Sequence, residues 1–249
     1  TKLQCFKREV WIVMAIKHSP RIVTDGLVAH YDAANTKSYP GSGTTWKDIS
    51  GKGNDGTLLS GAAFDSSNNG VINLDGTNDR VDINYSPTLA FSNGIISCEI
   101  WVYLDALGNG FPLICKRGNG ATNNDRPYVF GIHGDGYCRW ILTDNGSGIT
   151  VCDTAVLFEA GRWYHILATH DNSNSKIYLN GVEVKSVSSS INALETTNNN
   201  IKTRIGFRHT NTGSIYGNGR VAMARIYSKA LTETEVKQNY NAHKWRYEF

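Results

Sequence analysis

Glu99, Trp101 and Tyr103 alternate within GIISCEIWVYLDA (94–106), so an extended strand places a carboxylate and two aromatic rings on one face. Cys98, Ile100, Val102 and Leu104 take the other face and read as core. Rings beside polar groups on an open sheet suit a sugar, whose faces stack while its hydroxyls are fixed by hydrogen bonds. Tyr137 and Arg139 alternate in the same way, and His165 lies beside Trp163. The same rings have a second use, packing beneath loops or against a terminal helix. For Trp101, Trp163 and His165 that structural role is the expected one.

Loops offer another set of candidates. Trp46, Asp48, Asn54 and Asp55 fall in an early Gly-rich stretch, where a rim contact with a ligand would sit. Asp75, Asn78 and Asp79 crowd a tight turn, and oxygen-rich turns suit Ca2+, which takes about six to eight hard ligands. Asp-Gly-Thr-Asn-Asp is also ordinary turn chemistry, and its spacing is not that of an EF-hand. Calcium is the one ion this pattern admits, and no cofactor is required.

Nothing in the chain resembles catalytic machinery. Ser, His and Asp are plentiful, yet no Gly-x-Ser-x-Gly elbow holds a nucleophile. A retaining glycosidase needs paired carboxylates, whereas Glu99 has Ser97, Trp101 and Tyr103 on its face and no second acid before Asp105. The five cysteines (Cys5, Cys98, Cys115, Cys138 and Cys152) contain no C-x-x-C pair. An odd count without an export signal points to reduced, mostly buried thiols. A Cys138–Cys152 hairpin bridge is the alternative.

A formal charge of +3, from 25 Lys and Arg against 22 Asp and Glu, is too small to point to nucleic acid, and no dense basic run appears. The low charged fraction of 19% and the 25 glycines, with abundant Asn, Ser and Thr, supply many turns and few long helices. A length of 249 residues fits one large all-β domain.

The elements that must position the candidates are short strands. GLVAHYDA (26–33), GVINLDG (70–76), DRVDINY (79–85) and the 94–106 segment alternate, each bounded by turn residues. FPLICKRG, RPYVFGIHGDGYCRWILTDNG and GITVCDTA follow as a meander with Gly-Asp-Gly and Asp-Asn-Gly reversals. WYHILATHDNSNSKIYLNGVEV (163–184) reads as a hairpin with a solvated tip and an Asn180-Gly181 reversal behind it. IKTRIGFRH (201–209) and GRVAMARIYS (219–228) complete about a dozen strands, with no βαβ alternation and hence no parallel sheet. One helix is marked by Thr232 and Glu235, a capping box, with Leu231 and Val236 as its hydrophobic staple. Val236 and Tyr240 share a stripe that would pin it to a sheet.

Residues 1–23 form an N-terminal arm ahead of a domain spanning 24–249, whose helix and tail occupy about 231–249. VWIVMAI (10–16) is too short for a membrane span and lacks the cleavage site of a signal peptide. Two readings of the arm stand. Residues 1–13 are translated leader before a start at Met14, because Lys7-Arg8-Glu9-Val10 suits a purine-rich ribosome-binding stretch, or the arm docks on a neighbour.

GRWYHILATHDNSNSKIYLNGVEV, ISCEIWVYLD and GRVAMARIYSKALTETEVKQNY together resemble the signature of laminin G-like domains of the concanavalin A-like superfamily. The likeness runs from about Asp25 to Tyr240, and with GLVAHYDAANTKSYPGSGTTWKDISGKGNDGTL it resembles the version found in structural proteins of tailed phages, those of cyanobacteria in particular. It implies an all-β, two-sheet antiparallel jelly-roll sandwich with a short C-terminal helix. Glucanases of that superfamily carry a Glu-x-Asp-x-x-Glu strand, which this chain lacks. Many members carry an acid in a Gly-x-Ile-Asp-Glu pattern where Val221, Ala222 and Met223 stand here, which puts a metal in doubt. The resemblance implies a non-enzymatic, carbohydrate- or surface-binding module of a virion: a fibre, neck or decoration protein made in the host cytoplasm. The alternative is a purely structural virion protein that contacts other virion proteins and no glycan, and either form can assemble as a homo-oligomer. A secreted or cell-surface adhesin is the remaining setting.

Overall fold

The computed structural model describes residues 20–119, 125–144, 148–194 and 200–247. Two antiparallel sheets of eight strands each pack face to face. The first contains β1 (Leu27–Asp32), β4 (Ala63–Asp65), β5 (Val71–Asp75) and β7 (Ile96–Ala106). It is completed by β12 (Arg162–His170), β13 (Asn174–Leu179), β14 (Val182–Ser188) and β18 (Asn218–Tyr227). The second contains β2 (Thr45–Trp46), β3 (Gly56–Leu59), β6 (Arg80–Ile83) and β8 (Gly110–Lys116). Its other strands are β9 (Tyr128–His133), β10 (Tyr137–Thr143), β11 (Ile149–Leu157) and β15 (Thr203–Ile205). A separate two-stranded ribbon, β16 (Phe207–His209) and β17 (Ser214–Tyr216), lies apart from both sheets.

Strand order in the first sheet is β14-β13-β12-β7-β18-β5-β4, with β1 also on β18. The early half of β18 pairs with β5 and the late half with β1, across a register shift at Val221/Met223. The second sheet runs β11-β10-β9-β8-β15-β6-β3-β2. This is the jelly-roll sandwich that the motifs imply. Cys98, Ile100, Val102 and Leu104 point into the shared core, as their alternation requires, and meet Phe130, Trp140 and Leu142 from the other sheet.

The described residues hold eighteen strands rather than about a dozen, because β2, β4, β15, β16 and β17 are only two or three residues long. Segments that short carry no periodicity of their own. The 201–209 segment is a case in point: it breaks at Gly206, whose φ is +76° and where a Cβ would lie 2.3 Å from Leu74 Cδ1. Glycine there lets the chain leave the second sheet and start the ribbon. The turn at 76–79 likewise joins no hairpin, since β5 belongs to the first sheet and β6 to the second.

The 163–184 hairpin forms as its residues dictate. Asp171 Oδ1 accepts the Ser173 and Asn174 amides at the tip, an Asx turn. Asn180 and Gly181 both take positive φ, 50° and 81°, the signature of a type I′ reversal.

Helix α1 (Glu233–His243) starts at the expected capping box: Thr232 Oγ1 accepts the Glu235 amide while Glu235 Oε2 accepts the Thr232 amide. Leu231 and Val236 are buried in one cluster with Leu167, Tyr178 and Tyr227, which fixes the helix on the outer face of the first sheet. Val23, at the end of the N-terminal arm, joins the same cluster and donates its amide to Asn239 Oδ1 at 2.8 Å. Residues 1–13 lie outside the described residues.

All four described cysteines, Cys98, Cys115, Cys138 and Cys152, are free and buried. Cys138 and Cys152 are not bridged; burial pushes the Cys152 thiol up to about 12, so it packs as a small apolar group. Replacing Thr232 by Ala removes the cap, and equilibrium urea unfolding should show about 1 kcal/mol of lost stability with an unchanged m-value.

Candidate functional site

The two outer faces of the sandwich meet different fates. On the first sheet, Glu99 is 1% exposed and sits at the centre of a buried polar network. Its Oε1 accepts from Arg225 Nη1 at 2.7 Å and lies 3.0 Å from His165 Nε2. Its Oε2 accepts from Asn239 Nδ2 at 2.7 Å and from the Tyr227 hydroxyl at 3.5 Å. Burial opposes the charge on Glu99, but Arg225 and the His165 hydrogen bond outweigh it and hold the carboxyl at about 2. Trp101, 2% exposed, stacks on Tyr240 of α1 with ring centroids 5.8 Å apart and touches Tyr247 of the tail at 4.5 Å.

Neither Glu99 nor Trp101 faces a ligand: α1 and the tail cover both. Tyr103 lies at the margin, half-buried, edge-on to Trp163 and beneath the Arg220 guanidinium. Of the two uses open to these rings, packing against the terminal helix is the one the fold makes. Asn239, which saturates Glu99, carries no signal in the sequence beyond lying one helical turn from Val236.

The loop candidates hold their own loops together. Trp46 is fully buried against Tyr31, so it contributes to the core and not to a rim. Asp48, 5% exposed, accepts the His30, Ser50 and Asn54 amides and the Ser50 hydroxyl. Asn54 donates to the Val28 carbonyl and the Thr88 hydroxyl. Asp55 accepts the Asp48 amide and is itself exposed. An open hollow of about 590 Å³ lies beside these residues, lined by Ser50, Lys52, Thr88, Phe91 and Asn93 among others, but Trp46, Asp48 and Asn54 do not line it.

The oxygen-rich turn also spends its carboxylates on backbone. Asp75 Oδ1 accepts the Thr77 and Asn78 amides, which pulls its carboxyl below the usual range. Asp79 Oδ2 accepts the Asp75 amide, and burial raises its carboxyl. Among the described residues no group of three or more His, Cys, Asp and Glu side chains is placed to hold a metal ion. Asp75 and Asp79 thus each commit an oxygen to the turn itself. Val221, Ala222 and Met223, at the family's acidic positions, are buried in the sheet.

The outer face of the second sheet is different, because no helix crosses it among the described residues. Alternation along β9 and β10 brings Val129, Gly131 and His133 beside Tyr137, Arg139 and Ile141. Tyr137 and His133 stack at 4.8 Å with rings 10° apart. Arg139 lies 5.1 Å over the Tyr137 ring and forms a two-pronged pair with Asp153, at 2.8 and 2.7 Å. The ribbon borders this face through Phe207, which packs under the guanidinium groups of Arg80 and Arg204. Between them lies a cavity of about 130 Å³ lined by Arg117, Arg126, Val129, His133, Arg139, Ile141 and Arg208 among others.

Arg139 is therefore brought to the open cavity, and Tyr137 lies beside it, stacked on His133. Arg117, Arg126, His133 and Arg208 join Arg139; Arg126 and His133 share its 126–146 meander, and no sequence signal linked Arg117 or Arg208 to them. The arrangement can stack a ring, donate several hydrogen bonds and attract negative charge. It holds no nucleophile paired with a base.

Residues 75–237 match the laminin G 3 family of the concanavalin A-like lectin/glucanases superfamily. The chain belongs to that family. A curated relative, mouse pappalysin-1, is 32% identical over 71 residues, which cover 25% of this chain and 4% of that protein. Among solved structures, the binding domain of paraclostridial mosquitocidal protein 1 superposes with a TM-score of 0.68 at 19% identity, covering 88% of this chain and 52% of that one. Domain 4 of an extracellular arabinanase from Geobacillus stearothermophilus, in complex with arabinotriose, gives a TM-score of 0.66 at 20% identity, covering 86% of this chain and 98% of that one. The binding domain of botulinum neurotoxin DC, in complex with SialylT, gives 0.65 at 13% identity, covering 88% of this chain and 52% of that one. The laminin G chain described here thus spans about half the length of the two toxin domains. At these identities the likeness is one of fold.

Arg225→Met leaves the Glu99 carboxylate buried without its main partner and should lower stability by about 3–5 kcal/mol in urea unfolding. A pH titration of stability should slope in one direction. Burial, reinforced by Arg225, holds His30 at about 2 and His243 at about 3, against an ordinary value of 6.5. Below 6.5 the unfolded chain takes up protons that the folded one refuses, so stability is full above that pH and declines steadily as pH falls toward 3. Glu99, ordinarily 4.5 and here about 2, adds loss in the same direction below pH 4.5. Replacing both histidines with Phe should flatten the upper part of that slope in melting curves taken at stepped pH.

Proposed function

We propose that this laminin G domain is a non-enzymatic carbohydrate-binding module whose ligand lies on the outer face of the second sheet. The observation that carries it is the contrast between the two faces: one is closed by α1, and the other presents an open cavity lined by His133 and Arg139, with Tyr137 stacked on His133 beside it. A flat ring pair beside guanidinium donors and apolar Val129 and Ile141 is the mixture that sugar recognition uses, stacking for affinity and hydrogen bonds for orientation. The arabinanase domain in complex with arabinotriose lends the reading support through its shared fold.

For the setting we infer a virion component, a fibre, neck or decoration protein. What supports it is the likeness of the 26–58 segment and the closing strand and helix to tailed-phage structural proteins. Mass spectrometry of purified particles should find the chain among their proteins, and its absence would count against that setting.

A glycan array probed with wild type and with Tyr137→Ala tests the binding role. We expect at least one oligosaccharide to bind the wild type and to bind Tyr137→Ala about tenfold or more weakly, a change of about 1.4 kcal/mol. A wild type that binds no sugar leaves the purely structural role, with protein contacts alone.

A further inference from the structure

We propose that the cavity beside Tyr137 is a subsite for the acidic group of an anionic sugar, a carboxylate or a sulfate ester, held by Arg117 and Arg208. The inference rests on the carbohydrate-binding role given above and names the class of glycan. Four arginines, Arg117, Arg126, Arg139 and Arg208, line one cavity of about 130 Å³ whose lining contains no carboxylate. Asp153 neutralises Arg139 from outside that lining, through both guanidinium nitrogens. Arg117 is only 6% exposed, and its Nε has no hydrogen-bond partner among the described residues, although Nη2 donates to Asn211 Oδ1. A buried guanidinium N–H left without an acceptor is costly, and an anion entering the cavity supplies the acceptor.

The local field agrees with this. Burial first, then Arg126 and Arg208, pull the Arg117 guanidinium below its ordinary range, while Asp125 offsets them only weakly. His209 on the ribbon is lowered too, by burial and then by Arg204, Arg117 and Arg80. Positive charge is thus concentrated around Arg117. Guanidinium forks match the two oxygens of a carboxylate or sulfate, and the electrostatic term strengthens where water is excluded. A cavity of about 130 Å³ takes a small acidic group and not a polymer chain. The sugar bearing that group would lie on Tyr137 and His133 at the mouth.

Titration calorimetry at low salt decides it, using an oligogalacturonate, its carboxyl-reduced neutral counterpart, a sulfated oligosaccharide and single-stranded DNA. The expected result is binding of one or both acidic oligosaccharides at least tenfold tighter than the neutral one, weakened by added salt and cut tenfold or more by Arg208→Gln. The carboxylate and sulfate arms then say which anion the subsite takes. Arg208 is partly exposed on the ribbon, so Arg208→Gln should melt as the wild type does; Arg117→Gln, checked by its melting curve, should show the larger loss. Equal binding of the neutral sugar with Arg208→Gln unaffected overturns the acidic subsite while leaving the carbohydrate role standing. DNA bound as tightly as the acidic sugars also overturns it, because the surface is then a general polyanion trap. Binding of neither sugar class removes the carbohydrate role and the subsite with it.

Discussion

Glu99 cannot be buried alone. A carboxylate at 1% exposure persists only if its lone pairs are filled, and the partners of Glu99 on β7 come from two neighbouring strands and the helix: β12 brings His165, β18 brings Arg225 and Tyr227, and α1 brings Asn239. The network therefore obliges α1 to dock where it does. Asn239 in turn accepts the Val23 amide, so the entering chain is tied to the same knot. Once the helix is seated, Tyr240 and Tyr247 close over Trp101, and the outer face of the first sheet is lost to ligands.

That closure assigns the roles of the two sheets. One sheet serves stability, with a polar network and stacked rings sealed beneath the helix. The other keeps its outer face available, bordered by a short ribbon instead of a helix. Gly206 marks the division, since its positive φ turns the chain out of the second sheet and brings Arg208 to the cavity. The ordinary net charge of +3 conceals this: Arg117, Arg126 and Arg139, on or beside adjoining strands, and Arg208 from the ribbon converge on one patch.

The candidate residues sort along the same line. Alternation identified the faces of β7 and β10 correctly, because a strand's side chains must alternate whatever surrounds it. It could not say which outer face would be covered, so Glu99 looked as available as Tyr137 and Arg139. Asp48, Asn54, Asp75 and Asp79 are chemically able to contact ligands, yet three of them are buried; the three aspartates accept within or next to their own loops, and Asn54 ties its loop to Val28 and Thr88. Short polar side chains satisfy nearby backbone amides first, and composition alone does not distinguish that from a binding rim.

The sequence by itself determined the local structure: β7 and its core face, the 163–184 hairpin with its Asn-Gly reversal, the capping box of α1 and the sandwich these imply. Each depends on residues within a few positions of one another, where backbone geometry and side-chain spacing act directly. Only the tertiary structure decided that the helix shuts the first sheet, that Trp46 belongs to the core and that four arginines share a cavity. Those outcomes join groups as far apart as Glu99 and Asn239, 140 positions along the chain, and are set by how separate elements pack together rather than by any local pattern.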